Sequence, residues 1–401
     1  MNINFVDNSI IIIGGNKFMQ YRNFGNLDWE VSALGFGAMR LPTDEADEGI
    51  DRSKAVEMLR YAIDNGVNYV DTAWPYHGGE SEDLVAEALK DGYREQVKVA
   101  TKLPSWEVES REDLDKYLNK QLERLDIEKV DFYLLHALDE GHWQNYKDLG
   151  LEYVFDWIER MKAEGKIDQI GFSFHDDYDL FEELVDAYDW DFCQIQYNYI
   201  DTEFQAGKKG LKYADKNDIP VVVMEPLRGG TLAGEMPEEI KEIFAQSETE
   251  RSTADWALQW LWNQPEVAVV LSGMSTLEQV KENVESAANS GVGQLSKKEE
   301  EIVEEVANKY EAMVPVNCTG CGYCVPCPEG VEIPGIFALY NEAKIFNLEE
   351  QKRREYHNTD VISESGRASA CVACGVCEEA CPQNLDIIDE LETAVEYFEN
   401  S

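Results

Sequence analysis

The chain has 401 residues, 44% of them hydrophobic, which is enough to bury one large domain and a small one. Its 80 acidic residues against 35 basic ones give a formal net charge of -45 at pH 7. That charge disfavours nucleic acid and anionic membranes as partners, and it fits either a salt-adapted cell or an ordinary acidic enzyme.

The N-terminal segment has an apolar run at 10–13, but no cationic start precedes it and no small-residue cleavage site follows. We therefore expect no secretory signal. No stretch approaches the ~20 apolar residues that span a bilayer, so we predict no membrane anchor. Residues 1–18 form either a short strand or an extension upstream of a start at Met19.

From about residue 31 to residue 287, short apolar runs alternate with amphipathic helical stretches. This alternation indicates a parallel sheet with right-handed crossovers, and eight such units match the size of a (β/α)8 TIM barrel in the α/β class. An open, doubly wound sheet is the alternative, but no Gly-rich dinucleotide fingerprint follows the first strand. The predicted strands are 33–39, 69–72, 97–102, 130–136, 169–174, 192–197, 220–225 and 267–271, and the predicted helices are 53–65, 81–90, 111–125, 151–164, 178–187, 208–217, 253–263 and 276–287.

Titratable side chains follow three consecutive strands, at the ends where a TIM barrel has its active site. The second strand leads into Asp71 and Tyr76, the third ends at Lys102 and the fourth at His136. Each residue has an ordinary explanation on its own, such as a loop cap, a core ring, a surface cation or a core histidine. Because four of them follow consecutive strands, we expect them to meet in one cleft.

Each of these side chains can be assigned a role in proton transfer to a substrate carbonyl. A free tyrosine has a pKa of about 10. An ammonium beside it favours the phenolate, so we expect Lys102 to lower the pKa of Tyr76, with Asp71 holding Lys102 in place. His136 can orient the substrate carbonyl through a hydrogen bond. Tyr76 can then protonate the carbonyl oxygen while a hydride reaches the carbon.

The chain resembles the aldo-keto reductase family over about residues 20–290. The similar stretches are 70–76 (VDTAWPY), 79–82 (GESE), 99–102 (VATK), 131–136 (DFYLLH), 171–173 (GFS), 194–198 (QIQYN) and 282–283 (EN). The resemblance implies a TIM barrel and a nicotinamide cofactor, NAD(H) or NADP(H). It also implies that Tyr76 is the acid/base and that Asp71, Lys102 and His136 complete a catalytic tetrad.

The resemblance further implies cofactor contacts that run from the nicotinamide to the adenine. For Arg228, a phosphate contact and an ordinary strand-end loop are both open. The implied contacts are Ser173 and Gln194 at the carboxamide, Met224 beside the nicotinamide ring, Leu227 and Arg228 after the seventh strand, Ser272, Gly273 and Met274 at the phosphates, and Glu282 and Asn283 at the adenine.

Several positions depart from the family pattern. Phe174 stands where an asparagine is usual, and Met224 replaces the aromatic ring that stacks on the nicotinamide. Gly273, Met274 and Gln279 occupy the region where cationic side chains usually grip the 2′-phosphate. Without those cations, we expect no preference for the phosphorylated dinucleotide.

Aromatic and histidine side chains are also frequent in the loops after strands two to four. They either line a pocket for a small apolar or aromatic carbonyl compound or pack the loops onto the barrel rim. These residues are Trp74, Trp106, His142 and Trp143.

Residues 296–315 are predicted to form a charged helix that links a barrel at 19–295 to a module at 316–401. Helical patterns at 333–354 and 385–399 indicate that this module is small, mainly helical and ferredoxin-like. The second of its two cysteine runs has the C-x2-C-x2-C-x3-C-P spacing of bacterial 4Fe–4S ferredoxins, and the first has one residue fewer before its last cysteine. The cysteines are Cys318, Cys321, Cys324, Cys327, Cys371, Cys374, Cys377 and Cys381.

Eight thiolates at this spacing predict two 4Fe–4S clusters. Structural zinc is the competing interpretation, although zinc sites usually use two well-separated cysteine pairs. In two-cluster ferredoxins the fourth cysteine of one run ligates the other cluster, but the short gap between Cys324 and Cys327 leaves that assignment open here. With this tail, the chain is similar to the branch of aldo-keto reductases that carries a C-terminal 4Fe–4S module.

Hydride transfer moves two electrons together, whereas an iron–sulfur cluster passes one at a time. A flavin commonly mediates between the two, and it stays open as a further cofactor although no flavin motif is evident. Three roles of the clusters are open: they relay electrons to the barrel, they serve a redox partner protein, or they anchor the module over the barrel mouth. We favour the first. Oxygen-sensitive clusters without a secretion signal predict the cytoplasm of an anaerobic or microaerobic cell.

Overall fold

The computed structural model describes residues 18–44, 49–346, 348–359 and 361–400. The expectation for residues 1–18 lies outside these ranges, apart from Phe18. Eight parallel strands, the third to the tenth along the chain, form a closed barrel in which the tenth strand pairs with the third. The TIM barrel is thus confirmed and the open sheet excluded. The strands are β1 Tyr21–Asn23, β2 Glu30–Ser32, β3 Leu34–Gly37, β4 Tyr69–Asp71, β5 Lys98–Leu103, β6 Val130–Leu138, β7 Ile167–Phe174, β8 Phe192–Gln196, β9 Val221–Met224 and β10 Val267–Gly273.

Several of the helices begin where the sequence supplies a capping side chain. Thr276 and Gln279 form a reciprocal capping box at one helix, and Ser296 and Glu299 form another. None of the helices in the described part of the chain is long and apolar enough to cross a bilayer. The helices are α1 Arg52–Asp64, α2 Ser81–Ala88, α3 Arg111–Leu125, α4 Glu140–Leu149, α5 Leu151–Ala163, α6 Tyr178–Ala187, α7 Gly207–Lys216, α8 Glu238–Phe244, α9 Thr253–Trp262, α10 Leu277–Ala288, α11 Lys297–Glu311, α12 Ile333–Ile345, α13 Glu349–His357, α14 Val376–Glu379 and α15 Ile387–Phe398.

An antiparallel hairpin of β1 and β2 closes the amino end of the barrel. Phe24 in its turn is 1% exposed, and its ring lies 5.0 Å from the ring of Phe132 and 5.9 Å from that of Phe192. Strands of three residues are too short to show a period of two, which is why the sequence did not predict this hairpin. Because aromatic side chains fill the amino end, the cleft lies at the carboxyl end.

The chain has a second buried core beyond the barrel. Ile302 and Val306 of α11 belong to the barrel's buried cluster, and Val314 still packs against it. A separate cluster starts at Val316 and extends to Phe398. The predicted linker helix therefore packs along the barrel, and the change of core falls after Val314. The boundaries 19–295, 296–315 and 316–401 stay a proposal.

The C-terminal module packs over the carboxyl end of the barrel. Gln383 Nε2 donates a hydrogen bond to Gln196 Oε1 at 2.9 Å, and both side chains are buried. Arg228 Nη2 donates to Asn317 Oδ1, also at 2.9 Å. Buried polar groups seldom stay unpaired, so these contacts hold the module in a defined position.

Candidate active site

A cleft lies between the strand ends and the module. Both domains form its walls, so a ligand in it touches residues more than 200 positions apart in sequence. From the barrel, its lining includes Asp71, Tyr76, His136, Ser173, Gln194, Met224, Leu227, Ser272 and Gly273; from the module, it includes Thr319, Cys321, Tyr323, Pro382 and Gln383.

Three of the four expected side chains are joined directly by hydrogen bonds. Lys102 Nζ lies 2.7 Å from Asp71 Oδ1, 2.9 Å from the carbonyl oxygen of Thr72 and 3.4 Å from the Tyr76 hydroxyl. β4 and β5 pair with Asp71 opposite Ala100, so Lys102, two residues further on, points to the same face. The Lys102 side chain is only 1% exposed, which fixes its ammonium at the floor of the cleft.

The environment makes Tyr76 a neutral phenol. Burial raises the pKa of Tyr76 well above its ordinary value, Asp71 and Glu225 raise it further, and Arg40 opposes them. The net shift of this pKa is therefore opposite to the lowering expected from Lys102, because burial, followed by the charge of Asp71, dominates it. Burial also lowers the pKa of Lys102 and raises that of Asp71. A phenol that keeps its proton can donate it.

His136 is 2% exposed and lines the same cleft. Burial, followed by the charge of Lys102, lowers the pKa of His136 well below its ordinary value, so the imidazole is neutral. Its Nδ1 is buried without a partner. The ring centroid lies 6.2 Å from that of Tyr76 and 5.0 Å from that of Trp106. The imidazole is thus free to form a hydrogen bond to a ligand.

Ser173 and Gln194 lie opposite each other on β7 and β8. The Ser173 hydroxyl oxygen accepts a hydrogen bond from the Ala137 N–H at 2.7 Å, which leaves its own proton available. Gln194 Nε2 donates to Met224 Sδ at 3.5 Å, while Gln194 Oε1 is buried without a partner. A ligand that offers both a donor and an acceptor, such as a carboxamide, would satisfy this pair.

Arg40, in the loop after β3, is a cleft residue that the sequence analysis missed. Its aliphatic stem lies against Gly273, where an added Cβ would be 3.2 Å from Arg40 Cβ. Arg40 Nη2 is buried without a partner, and an added Cβ at Gly229 would lie 3.3 Å from it. This cation lies just past the first strand, at a strand end like those that indicated the tetrad.

Glu225 is the second residue that sequence reasoning missed. Its carboxylate lines the cleft and accepts a hydrogen bond from the Gly229 N–H at 2.6 Å. Burial raises the pKa of Glu225 from its ordinary value, while the charge of Arg40 opposes that shift. Its position directly after Met224, at a strand end, was the signal in the sequence.

Arg228 is 2% exposed and does not line the cleft. Its Nε lies 3.2 Å from Asp201 Oδ2, and its Nη2 donates to Asn317 of the module. The side chain therefore joins the loop after β9 to the module.

Three further residues of the implied cofactor set lie behind the cleft wall or outside it. Met274 is packed in the barrel core, and Asn283 Nδ2 donates to Ser272 Oγ at 2.8 Å. Glu282 is exposed on α10. Gln279 Oε1 accepts a hydrogen bond from the Ser275 N–H at 2.7 Å, so this side chain caps α10.

The loop aromatics mostly pack the barrel rim. Trp74 lies under the guanidinium of Arg124, at 3.7 Å from its ring centroid, and Trp143 is buried. Trp106 packs against His136 and is 38% exposed. Of these tryptophans, Trp106 has the contact that couples it to the cleft.

The eight module cysteines line two pockets, and each pocket takes three residues from one run and the last residue of the other. The proximal pocket shares Thr319, Cys321, Pro382 and Gln383 with the cleft. Within the described ranges, no three His, Cys, Asp or Glu side chains lie close enough to hold a single metal ion. Cys318, Cys321, Cys324 and Cys381 line the proximal pocket; Cys327, Cys371, Cys374 and Cys377 line the distal pocket.

Two family models match the chain. The model described as "Aldo/keto reductase family" matches residues 33–308. The model described as "4Fe-4S dicluster domain" matches residues 317–385, which contain all eight module cysteines. The first match spans the whole barrel and most of α11, well over half of the chain.

Similar proteins and structures agree with these matches. The NADH-specific methylglyoxal reductase of Escherichia coli is 27% identical over 332 residues, which cover 72% of this chain and 98% of that protein. The L-galactose dehydrogenase of Arabidopsis thaliana is 28% identical and covers 72% of this chain and 96% of its own. The structure of aldo-keto reductase AKR11C1 from Bacillus halodurans, in its holo form, superposes with a TM-score of 0.60 at 26% identity and covers 72% of this chain and 96% of its own. The chain belongs to the Aldo/keto reductase family: it is an oxidoreductase whose TIM barrel is followed by a 4Fe–4S domain.

Proposed function

We propose that this protein interconverts a small carbonyl compound and its alcohol in the cleft, with Tyr76 as the proton donor. The observation that carries the proposal is the buried chain of contacts from the Tyr76 hydroxyl to Lys102 Nζ at 3.4 Å and on to Asp71 at 2.7 Å. A nicotinamide dinucleotide, when bound, would supply the hydride.

Each side chain has a distinct task in this mechanism. His136, neutral and with an unpartnered ring nitrogen, orients the substrate carbonyl. Tyr76 keeps its proton until the oxygen gains charge, and then donates it. The ammonium of Lys102 stabilises the phenolate that remains, and Asp71 keeps that ammonium in place. Alcohol oxidation uses the same groups in reverse.

The dinucleotide would lie along the cleft from Ser173 and Gln194 to Arg40. The unpartnered oxygen of Gln194 and the free hydroxyl proton of Ser173 match a nicotinamide carboxamide. Arg40 offers an unpartnered N–H group to a phosphate. We propose NAD(H) rather than NADP(H), because Gln279 is used as a helix cap; the name of the NADH-specific relative supports this choice.

The two cysteine pockets would each hold one 4Fe–4S cluster, which supplies one-electron transfer when bound. Four thiol groups surround each pocket, and backbone N–H groups of Gly320 and Ala373 donate to Cys318 and Cys371 Sγ at 3.4 Å, as cluster sites require. Cys321 lines both the proximal pocket and the cleft. This position of Cys321 supports an electron relay between the module and a nicotinamide or flavin in the barrel. We propose that the enzyme works in the cytoplasm.

A second candidate is an electron-transfer protein that serves a redox partner and turns over no carbonyl. Met224, in place of a stacking aromatic ring, favours it, because the barrel then holds a nicotinamide ring less firmly. Cofactor titration separates the two candidates: this one requires that the barrel bind neither nicotinamide nor flavin.

Substituting Tyr76→Phe tests the main proposal. We expect carbonyl-dependent oxidation of NADH to fall by about 100-fold or more, because general-acid catalysis contributes factors of that size. Tyr69→Phe is the matched control: the Tyr69 hydroxyl is buried without a partner on β4, the strand that leads to Tyr76, and lies outside the cleft, so turnover should stay within about twofold. Iron content should be equal in both variants. Equal turnover in the two variants would sink the assignment of Tyr76.

A further inference from the structure

The distal pocket lies at the surface of the module. Cys374, which lines it, is exposed, and the valines two positions on either side, Val372 and Val376, are 60% and 49% exposed. We call these three residues the distal face. Exposed large apolar side chains are few among the described residues, so two of them beside one cysteine form a distinct apolar patch.

The surroundings of the distal face are acidic. The segments 312–343 and 368–401 contain both cysteine runs and no Lys or Arg. Glu329 lines the distal pocket and is exposed, and Glu379 and Asp389 are exposed close to it in sequence. The patch is thus apolar at its centre and negative at its rim, a combination typical of surfaces that bind a positively charged partner.

The proximal pocket, by contrast, adjoins the barrel cleft. It shares four lining residues with the barrel cleft, whereas the distal pocket shares none of them. Both pockets contact Ile333 of α12, so the two cysteine sets are neighbours. The distal pocket is therefore the cysteine pocket that shares no wall with the cleft.

We propose that the distal face is the docking surface for a one-electron carrier protein whose own redox centre lies under an apolar patch ringed by Lys and Arg. The inference rests on the proposed function only in requiring a cluster in the distal pocket. Each encounter moves one electron between the carrier and that cluster. The carrier is oxidised by one electron as the cluster is reduced by one, or the reverse, and no bond is formed or broken in this step.

A second copy of this chain is a poorer occupant. Two identical distal faces would bring their acidic rims together, and like charges across an interface oppose association. A basic carrier gains attraction from the same rim, and its approach is faster at low ionic strength.

Cytochrome c, a small basic haem protein, is the probe. Protein reduced with dithionite and then desalted is mixed anaerobically with ferric cytochrome c, so that each haem takes one electron. Val372→Lys and Val376→Lys should each lower the second-order rate constant about tenfold at low salt, because the new cation on the distal face repels the basic surface of cytochrome c. Val292→Lys, at a valine 53% exposed on the barrel, should stay within about twofold of the wild type.

A binding measurement complements the rate. Titration calorimetry of oxidised protein with ferric cytochrome c gives an affinity with no electron transfer. The dissociation constant should rise about tenfold for Val372→Lys and stay within about twofold of the wild type for Val292→Lys. Equal effects of Val372→Lys and Val292→Lys would mean binding anywhere on the acidic surface and would overturn the proposal. So would a shift from dimer to monomer in sedimentation caused by Val372→Lys, which would assign the face to a second copy.

The outcome is separable from that of the proposed carbonyl chemistry. Dithionite replaces the barrel as the electron source, so loss of activity in Tyr76→Phe leaves this test intact. A small uncharged acceptor such as benzoquinone should oxidise all variants at one rate. A valine variant that slows this acceptor as well has lost its cluster, and the other valine variant then decides.

Discussion

Arg40 and Glu225 are two opposite charges within one cleft, without an ion pair between them in the described part of the chain. The tetrad does not predict either residue, and each of them affects the charge of the ligand that the cleft can bind. The guanidinium favours an anion and the carboxyl, when ionised, disfavours one. Ligand affinity therefore depends on both side chains.

Substituting Arg40→Gln should weaken NADH binding by roughly tenfold, or about 1.4 kcal/mol, because charged hydrogen bonds to phosphate contribute energies of this size. Fluorescence titration with NADH measures the effect. Arg60→Gln, which removes a surface ion pair with Asp91, is the control. An unchanged dissociation constant in Arg40→Gln would remove Arg40 from the binding site.

Glu225 should make stability depend on pH. Burial raises its pKa, so the folded protein binds this proton more tightly than the unfolded chain does, and stability falls as pH rises through the folded-state pKa. Glu225→Gln abolishes the titration and keeps an acceptor for the Gly229 N–H. The thermal midpoint of the variant minus that of the wild type should therefore increase as pH is raised from about 5 to about 8. Calorimetry at both values measures this; a constant difference between the two proteins contradicts it.

At the scale of elements, the loop after β9 joins the barrel to the module. A Cβ at Gly229 would lie 1.9 Å from the carbonyl oxygen of Thr319, and Gly229 has φ +67°. Gly230 has φ +98°, but a Cβ there would meet nothing within 4 Å. The two glycines thus share a conformation that other residues rarely adopt, and they differ in contact with the module.

Gly229→Ala should therefore loosen the module, whereas Gly230→Ala should cost only backbone strain of about 1–2 kcal/mol. Limited proteolysis, with fragments identified by mass spectrometry, should cut Gly229→Ala several-fold faster between the barrel and the module. If both variants are cut at one rate, the contact with Thr319 does not hold the module.

The eight barrel strands were predicted because apolar runs alternate with amphipathic helical stretches, some of which begin at a capping side chain such as Thr276. Other elements left weaker signals. β1 and β2 are too short for a period to show, and α4 and α8 were not predicted. Helix α8 has only seven residues, from Glu238 to Phe244, and it is preceded by Pro237.

The strand-end rule also predicted the side chains that meet around Tyr76. It could not predict how their charges sum, because the net pKa shift depends on burial and on Arg40 and Glu225, which come from other strands. Each cysteine run contributes its last cysteine, Cys327 or Cys381, to the pocket of the other run. This exchange depends on how the two runs cross in three dimensions. Spacing alone therefore left that assignment open.

At the scale of the whole molecule, the barrel and the module form one site. The cleft has Tyr76 on one wall and Cys321 on the other, and Cys321 also lines the proximal pocket. A dinucleotide bound in the cleft would therefore change the surroundings of a cluster in that pocket, whatever the direction of electron flow.

Electron paramagnetic resonance of the dithionite-reduced protein, with and without saturating NADH, tests this claim directly. We predict that NADH shifts the signal of one cluster, the proximal one, and leaves the other unchanged, because only the proximal pocket shares a wall with the cleft. Calorimetry on the same sample establishes that NADH is bound. If NADH binds and both signals remain superimposable on those of the free protein, the cleft and the proximal pocket are not one site.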